Sequence, residues 1–132
     1  MSLFEKMISK HSQRIYSIVR LVFGFLFMSH GAQKLFGIFG GHGTMGMKIF
    51  LFAGIIEFFG GILIAIGYRA RYIAIITACE MIYAYSTVHF PRGMWPIENG
   101  GELAVLYLLF FLFTIANGAG PWSVDAIILK KK

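Results

Sequence analysis

Charged residues are scarce in this chain. Of its 132 residues only 14% are Asp, Glu, Lys or Arg, and only six are acidic, against about 25% charged residues in an ordinary soluble domain. Apolar residues reach 58%, and the mean hydropathy is +0.72. These values exclude a typical soluble domain. They also exclude a disordered chain, which needs low hydrophobicity and high charge. Cysteine is almost missing: Cys79 stands alone, so no intrachain disulfide and no thiolate metal cluster can form. Within its apolar run Cys79 reads as a small packed residue.

Several motifs are missing too. There is no G-x-x-x-x-G-K-S/T phosphate loop and no G-x-G-x-x-G between a strand and a helix; Gly40-Gly41-His42-Gly43 has neither context. The Glu-x-x-His pairs of a di-iron bundle and the arginine ladder of a voltage sensor are absent. A haem would need axial histidines on facing helices. His30 and His89 both fall near one surface, so that geometry is open, but two histidines are a weak signal. The net charge of +6 would suggest nucleic acid. The basic residues, however, sit in short clusters between apolar runs, the pattern of a membrane protein with cationic ends.

What is present is four apolar runs, at residues 15–36, 47–67, 72–90 and 101–117. As helices each can cross about 30 Å of hydrocarbon, the fourth least comfortably. The first run reads as a retained span, because Ser29-His30-Gly31-Ala32-Gln33-Lys34 lacks an A-x-A cleavage pattern. Breakers fall between the runs. Gly37, Gly40, Gly41, Gly43 and Gly46 loosen the first loop, and Gly67-Tyr68-Arg69-Ala70-Arg71 makes a tight turn. Pro91, Gly93 and Pro96 break the third connection, and Asn117-Gly118-Ala119-Gly120-Pro121 ends the fourth helix. The expectation is one all-α domain over 1–132, a multi-pass four-helix bundle in contact with lipid.

With four spans, Lys6, Lys10, Arg14, Arg69, Arg71, Lys130, Lys131 and Lys132 share one side, while Lys34, Lys48 and Arg92 lie on the other. This asymmetry puts both termini in the cytoplasm. The lysine-ended tail would lie on the anionic inner leaflet.

Ionisable groups at membrane depth are functional candidates by default. Counting from the run ends at 1.5 Å per residue, Glu57 lies roughly 15 Å deep, Glu80 about 12 Å and Arg20 about 9 Å. Helical spacing gathers inward stripes: Arg20, Gly24, Phe27, Gly31 and Lys34; Phe50, Gly54, Glu57, Gly61 and Ile64; Ile73, Thr77, Glu80, Ala84 and Thr87. A second polar layer nears the outer surface, with His30, Gln33, Lys34, Tyr83 and His89. Glu98 and Glu102 join it one helical turn apart on one face, with Trp95 and Tyr85 as aromatic walls. Each has a plainer reading. Arg20 with Glu57 or Glu80 would be a structural ion pair, and Lys34 would snorkel to the interface. The histidines would make interfacial hydrogen bonds, Glu98 and Glu102 would complement a helix dipole, and the glycines would be packing devices. His42 reads as solvent-exposed.

A set of segments resembles the DoxX family of small bacterial and archaeal membrane proteins over almost the whole chain. They are Arg20-Leu21-Val22-Phe23-Gly24, His30-Gly31-Ala32-Gln33-Lys34-Leu35 and Glu57-Phe58-Phe59-Gly60-Gly61, followed by Gly67 and Arg71. Asn99-Gly100-Gly101-Glu102-Leu103 and a terminal G-x-G-x-x-S-x-D pattern from Gly118 to Asp125 complete the set. The matching positions include Arg20, His30, Lys34, Glu57, Glu102 and Asp125; Glu80 lies outside the pattern. The resemblance implies a plasma-membrane protein in a quinone-linked redox system, as a subunit or accessory. On that reading Lys34 or His30 hydrogen-bonds a quinone oxygen, and Glu57 or Glu102 exchanges the accompanying proton. Arg20 holds a nearby carboxylate ionised, and Glu80, Tyr83 and His89 complete the cofactor site. No residue can carry the electrons itself. Two other classes stay open: a scaffold that docks a soluble redox partner on its cationic face, and a small transporter made by homo-oligomerisation.

Overall fold

The computed structural model describes residues 1–43 and 47–130. Gly46, expected as a loop breaker, and Lys131 and Lys132 of the cationic tail lie outside the described residues. Among the described residues the protein is all-helical, with no strands. Its helices are α1 (Leu3–Phe36), α2 (Lys48–Ile66), α3 (Ala70–Ala84), a short turn α4 (Pro96–Asn99), α5 (Glu102–Asn117) and α6 (Val124–Lys130).

α1 begins far ahead of its apolar run. Ser2 accepts from the Glu5 amide at 3.2 Å, and the Glu5 carboxylate accepts from the Ser2 amide at 2.6 Å. This reciprocal capping box satisfies two amides at a helix start that would otherwise lack partners. The helix has 34 residues, or about 51 Å at 1.5 Å per residue. That exceeds the hydrocarbon thickness of about 30 Å, so the segment with Lys6, Lys10 and Arg14 extends beyond the span. α1, α2 and the segment Ala70–Arg92 are long and apolar enough to cross a membrane; α5 is a shorter apolar helix. The protein is therefore a multi-pass membrane protein. The third run is not one uniform helix. After Ala84 it widens into a π-helical turn (Tyr85–His89) and then tightens into a 3-10 turn (Phe90–Arg92) at Pro91.

The long helices alternate in direction. α1 and α2 meet along a seam of glycines: the missing Cβ of Gly24 faces the backbone of Ala65, that of Gly31 faces Phe58, and that of Gly61 faces Met28. No larger residue lets the backbones approach so closely. α1 meets α5 differently, through aromatic rings. Phe23 stacks on Phe110 at 4.3 Å between centroids, and Phe27 meets Phe111 edge-on at 4.9 Å. Packing energy there comes from ring area, and along the glycine seam from close backbone contact. The buried stripes expected on α1 and α2 hold from Arg20 to Gly31 and from Gly54 to Ile64. The stripe on α3 is displaced by one residue, with Ala70, Ala74, Thr77, Ala78 and Met81 buried and Thr87 exposed. α3 turns its alanines toward α5 and leaves Glu80 on its flank.

Candidate functional site

The glycine seam fixes the register of α1 against α2. Gly54 faces Lys34 and Leu35, and Gly31 faces Glu57 and Phe58. The two helices are not flush, because α2 projects past the end of α1. Glu57 is thus closer to the end of α1 than counting from its own run suggests. The Lys34 ammonium forms an ion pair with Glu57 Oε1, the one ion pair found among the described residues. Glu57's side chain is only 5% exposed and that of Lys34 is 29% exposed. The second carboxylate oxygen, Oε2, is buried and has no hydrogen-bond partner.

Glu57 lines a cavity of about 230 Å³ between α1, α2, α3 and α5. Phe27, His30, Met81, His89 and Tyr107 also line it. Tyr107 is positioned by Phe27 and Phe111, with ring centroids at 5.0 and 6.0 Å, and the His30 ring meets it edge-on at 6.0 Å. His89 Nδ1 lies 3.2 Å from the Asn99 carbonyl oxygen. A carbonyl only accepts, so Nδ1 carries the proton. Asn99 is itself buried. Its side-chain amide donates to the Gly93 carbonyl at 2.9 Å, and its side-chain oxygen accepts from the Gly101 amide at 2.7 Å. The Asn99-Gly100-Gly101 segment thereby holds the turn that positions His89.

A second, larger space opens along the flank of α2 and α3. This groove of about 910 Å³ is mainly apolar and contains Glu80, Tyr83, Thr87 and Arg92. Both carboxylate oxygens of Glu80 are buried without a partner. Lys34 and Ala84 border both spaces. Cys79 is exposed in the groove wall and is not a packed core residue.

Besides Glu80 on the groove, three expected site residues lie elsewhere, or on a different wall. Arg20 is only 1% exposed and pairs with neither Glu57 nor Glu80. Its guanidinium donates to four backbone carbonyls: Ile64 and Ala65 at 2.5 Å, and Ala119 and Trp122 at 2.6 Å. The last carbonyls of α2 carry the negative end of its dipole. They take the place of a carboxylate, so Arg20 is a clamp rather than a cofactor ligand. Glu102 is exposed at the first turn of α5, away from both cavities. It does not share a helix face with Glu98, because Gly100 adopts φ +71° and separates α4 from α5. Tyr83 faces the groove, not the inner cavity. Trp95 is 61% exposed. Tyr85 serves the Asn99 turn, its hydroxyl accepting from the Asn99 amide at 3.3 Å, and Gln33 bonds the Phe39 carbonyl at 2.9 Å. His42 is exposed, as expected.

The terminal motif is structural as well. Asp125 accepts from the Arg69 and Ala70 amides at 2.7 and 3.0 Å, capping the start of α3 from a distant segment. Tyr16 donates to the Gly118 carbonyl at 2.6 Å, and Arg71 Nη1 donates to the last carbonyls of α5, Ile115 and Ala116. Sequence reasoning missed Tyr107, Phe27 and Met81 as cavity walls. Tyr107 had a readable signal: it and Thr114 are the hydroxyl residues of the fourth apolar run, two turns apart on one face.

Comparison with known proteins agrees with the architecture. A family model described as DoxX matches residues 15–90. An uncharacterized protein of Haemophilus influenzae is 37% identical over 131 residues, covering 94% of this chain and 98% of its own. A Bacillus subtilis protein named "Putative oxidoreductase CatD" is 28% identical over 120 residues, covering 87% of each chain. No solved structure matches the chain. The family match over more than half the chain, with a relative similar along nearly its full length, establishes that this protein belongs to the DoxX family.

Proposed function

We propose that this protein binds a quinone headgroup at the Lys34–Glu57 pair and serves as a membrane-embedded subunit or accessory of a redox system. One observation carries the reading: Glu57, which keeps a buried, unpartnered oxygen, lines a cavity with His30, His89 and Tyr107. A buried polar atom without a partner is costly, and a carboxylate oxygen only accepts, so the site suits a ligand that donates to it, as the hydroxyl of a reduced quinone does. Ligand pockets usually measure about 300–1,000 Å³. A cavity of about 230 Å³ suits a single ring and not a porphyrin. The adjoining groove of about 910 Å³ suits an apolar chain. A quinone supplies two-electron chemistry when bound. The Lys34 ammonium and the Tyr107 hydroxyl would donate to its oxygens, and Glu57 would hold or release the proton. His89, with its Nδ1 proton fixed on the Asn99 carbonyl, would offer Nε2 as an acceptor. The electrons would come from a partner, in keeping with the oxidoreductase name of the Bacillus subtilis relative.

The same reading places α5 as a fourth span, both termini in the cytoplasm and the bundle in the plasma membrane. The test is titration of the purified protein, in mild detergent, with a short-chain benzoquinol, the reduced form whose hydroxyls can donate to Glu57. Saturable binding that weakens at least tenfold in Glu57→Gln is expected, since a hydrogen bond to a charged group contributes about 1.5–3 kcal/mol. A wild-type protein with no saturable binding would sink the reading.

A further inference from the structure

Gly60 on α2 faces Thr77 on α3, with only 3.0 Å between its absent Cβ position and the threonine methyl. The helices are antiparallel, so moving three residues along each reaches Glu57 and Glu80 at one level. Lys34, on α1, borders both the cavity of Glu57 and the groove of Glu80. One cation is therefore paired with one carboxylate and borders the groove of a second, from a different helix. Its ammonium is committed to Glu57 Oε1. Glu57 Oε2 and both oxygens of Glu80 are buried and unpartnered, and Glu57 is 4% exposed.

The other groups around this cluster do not balance it. α1 contributes His30, α3 contributes Tyr83, the π-helical turn after it contributes His89, and α5 contributes Tyr107. Arg92 stands at the far end of the groove, three turns beyond Glu80 along the chain. Two negative charges opposite one positive charge, away from water, are strongly disfavoured. A single added proton makes the set neutral.

We propose that Glu57, Glu80 and Lys34 form a one-proton site in which Glu80 holds the proton that Glu57, engaged with Lys34, does not. When a ligand oxygen, reduced by electrons from the partner, takes up a proton, that proton passes from the Glu80 carboxyl by way of the Glu57 carboxylate to the ligand oxygen, and Glu80 is then reprotonated from the groove. Tyr83 and Thr87 line that groove three and seven residues beyond Glu80, on the way to Arg92. The use of the proton rests on the quinone reading above; its presence does not. Glu80 is a positioning and proton-holding residue here, since it borders the groove and not the inner cavity.

Infrared spectroscopy of the full-length protein in lipid, at neutral pH and without quinone, tests the site. A carboxyl group in water is ionised at neutral pH, so a protonated-carboxyl carbonyl band reports buried acid. The wild type should show a band of one group per chain. Glu80→Gln should lose it, because the remaining Glu57 is balanced by Lys34. Lys34→Met should double it, because both carboxylates then need protons. Helical circular dichroism would verify that each variant is folded, and Glu80→Gln keeps the size of the side chain. A wild type without the band, or a Glu80→Gln protein with the band undiminished, would overturn the proposal. A protein that shows the band and binds no quinone overturns the functional reading alone.

Discussion

Lys34 and Glu57 cannot be removed independently. Deleting Lys34 leaves the Glu57 charge to be removed by a proton, and deleting one partner of a buried pair costs about 3–5 kcal/mol, while replacing both can be nearly neutral. Lys34→Met should therefore lower the unfolding midpoint of the detergent-solubilised protein sharply, and Lys34→Met with Glu57→Gln should recover most of the loss. A double-mutant cycle measures the difference. Additive losses in the cycle would mean that the two side chains do not act as a pair. Arg20 makes a different kind of contribution. Its four carbonyl bonds depend on a planar fork, which a lysine cannot reproduce. Arg20→Lys should destabilise by a few kcal/mol, at about 1.5–3 kcal/mol for each charged hydrogen bond lost, and leave quinone affinity unchanged in the folded protein. Thermal unfolding and titration of the same sample check both halves. The sequence revealed that Arg20 is buried, since its stripe includes Gly24, Phe27 and Gly31. It did not reveal the partners, because backbone carbonyls are the same in every residue and leave no mark in a sequence.

At the scale of elements, the α1–α2 seam allows a sharp contrast between neighbouring glycines. A methyl group on Gly61 would strike the Met28 backbone, whereas one on Gly60 would meet side-chain methyls alone, those of Thr77 and Ile73. Alanine gains about 1 kcal/mol over glycine in helix propensity. Gly60→Ala should thus be close to neutral, while Gly61→Ala should separate the helices and lower the unfolding midpoint well below it. The α3 entrance depends on Asp125 in the same way. Asp125→Ala should cost about 0.5–2 kcal/mol, the usual value of a lost helix cap, and should raise amide hydrogen exchange first at Arg69 and Ala70. α3 also marks the limit of pattern reading. Thr77 belongs to both the expected and the observed stripe. Alanine at 74 and 78 and glutamate at 80 gave no means of choosing between adjacent faces, since in lipid both small and polar residues can face inward. The choice fell to α5, whose rings need the flat alanine surface.

For the whole molecule, alternation of the long helices places the start of α1, the Gly67 turn and the 118–130 segment at one end, joined by Arg20, Tyr16 and Asp125. The other end holds the 37–43 loop and the Asn99 turn. A fluorescent reporter fused at the C-terminus should be bright, and a periplasm-dependent phosphatase inserted at Gly40 should be active. A dark C-terminal reporter would reverse the orientation. The sequence by itself determined the membrane class, the helical content, the inward faces of α1 and α2 and the membership of Lys34 and Glu57 in the candidate site. Hydropathy and a 3.6-residue period are local properties, and a single chain segment carries them in full. Only the tertiary structure decided that Lys34 pairs with Glu57, that Arg20 and Asp125 hold the fold, that Glu102 stands apart, and that Tyr107 borders the cavity. Those outcomes depend on the offset between neighbouring helices, which is set by glycine seams and ring contacts acting across the bundle.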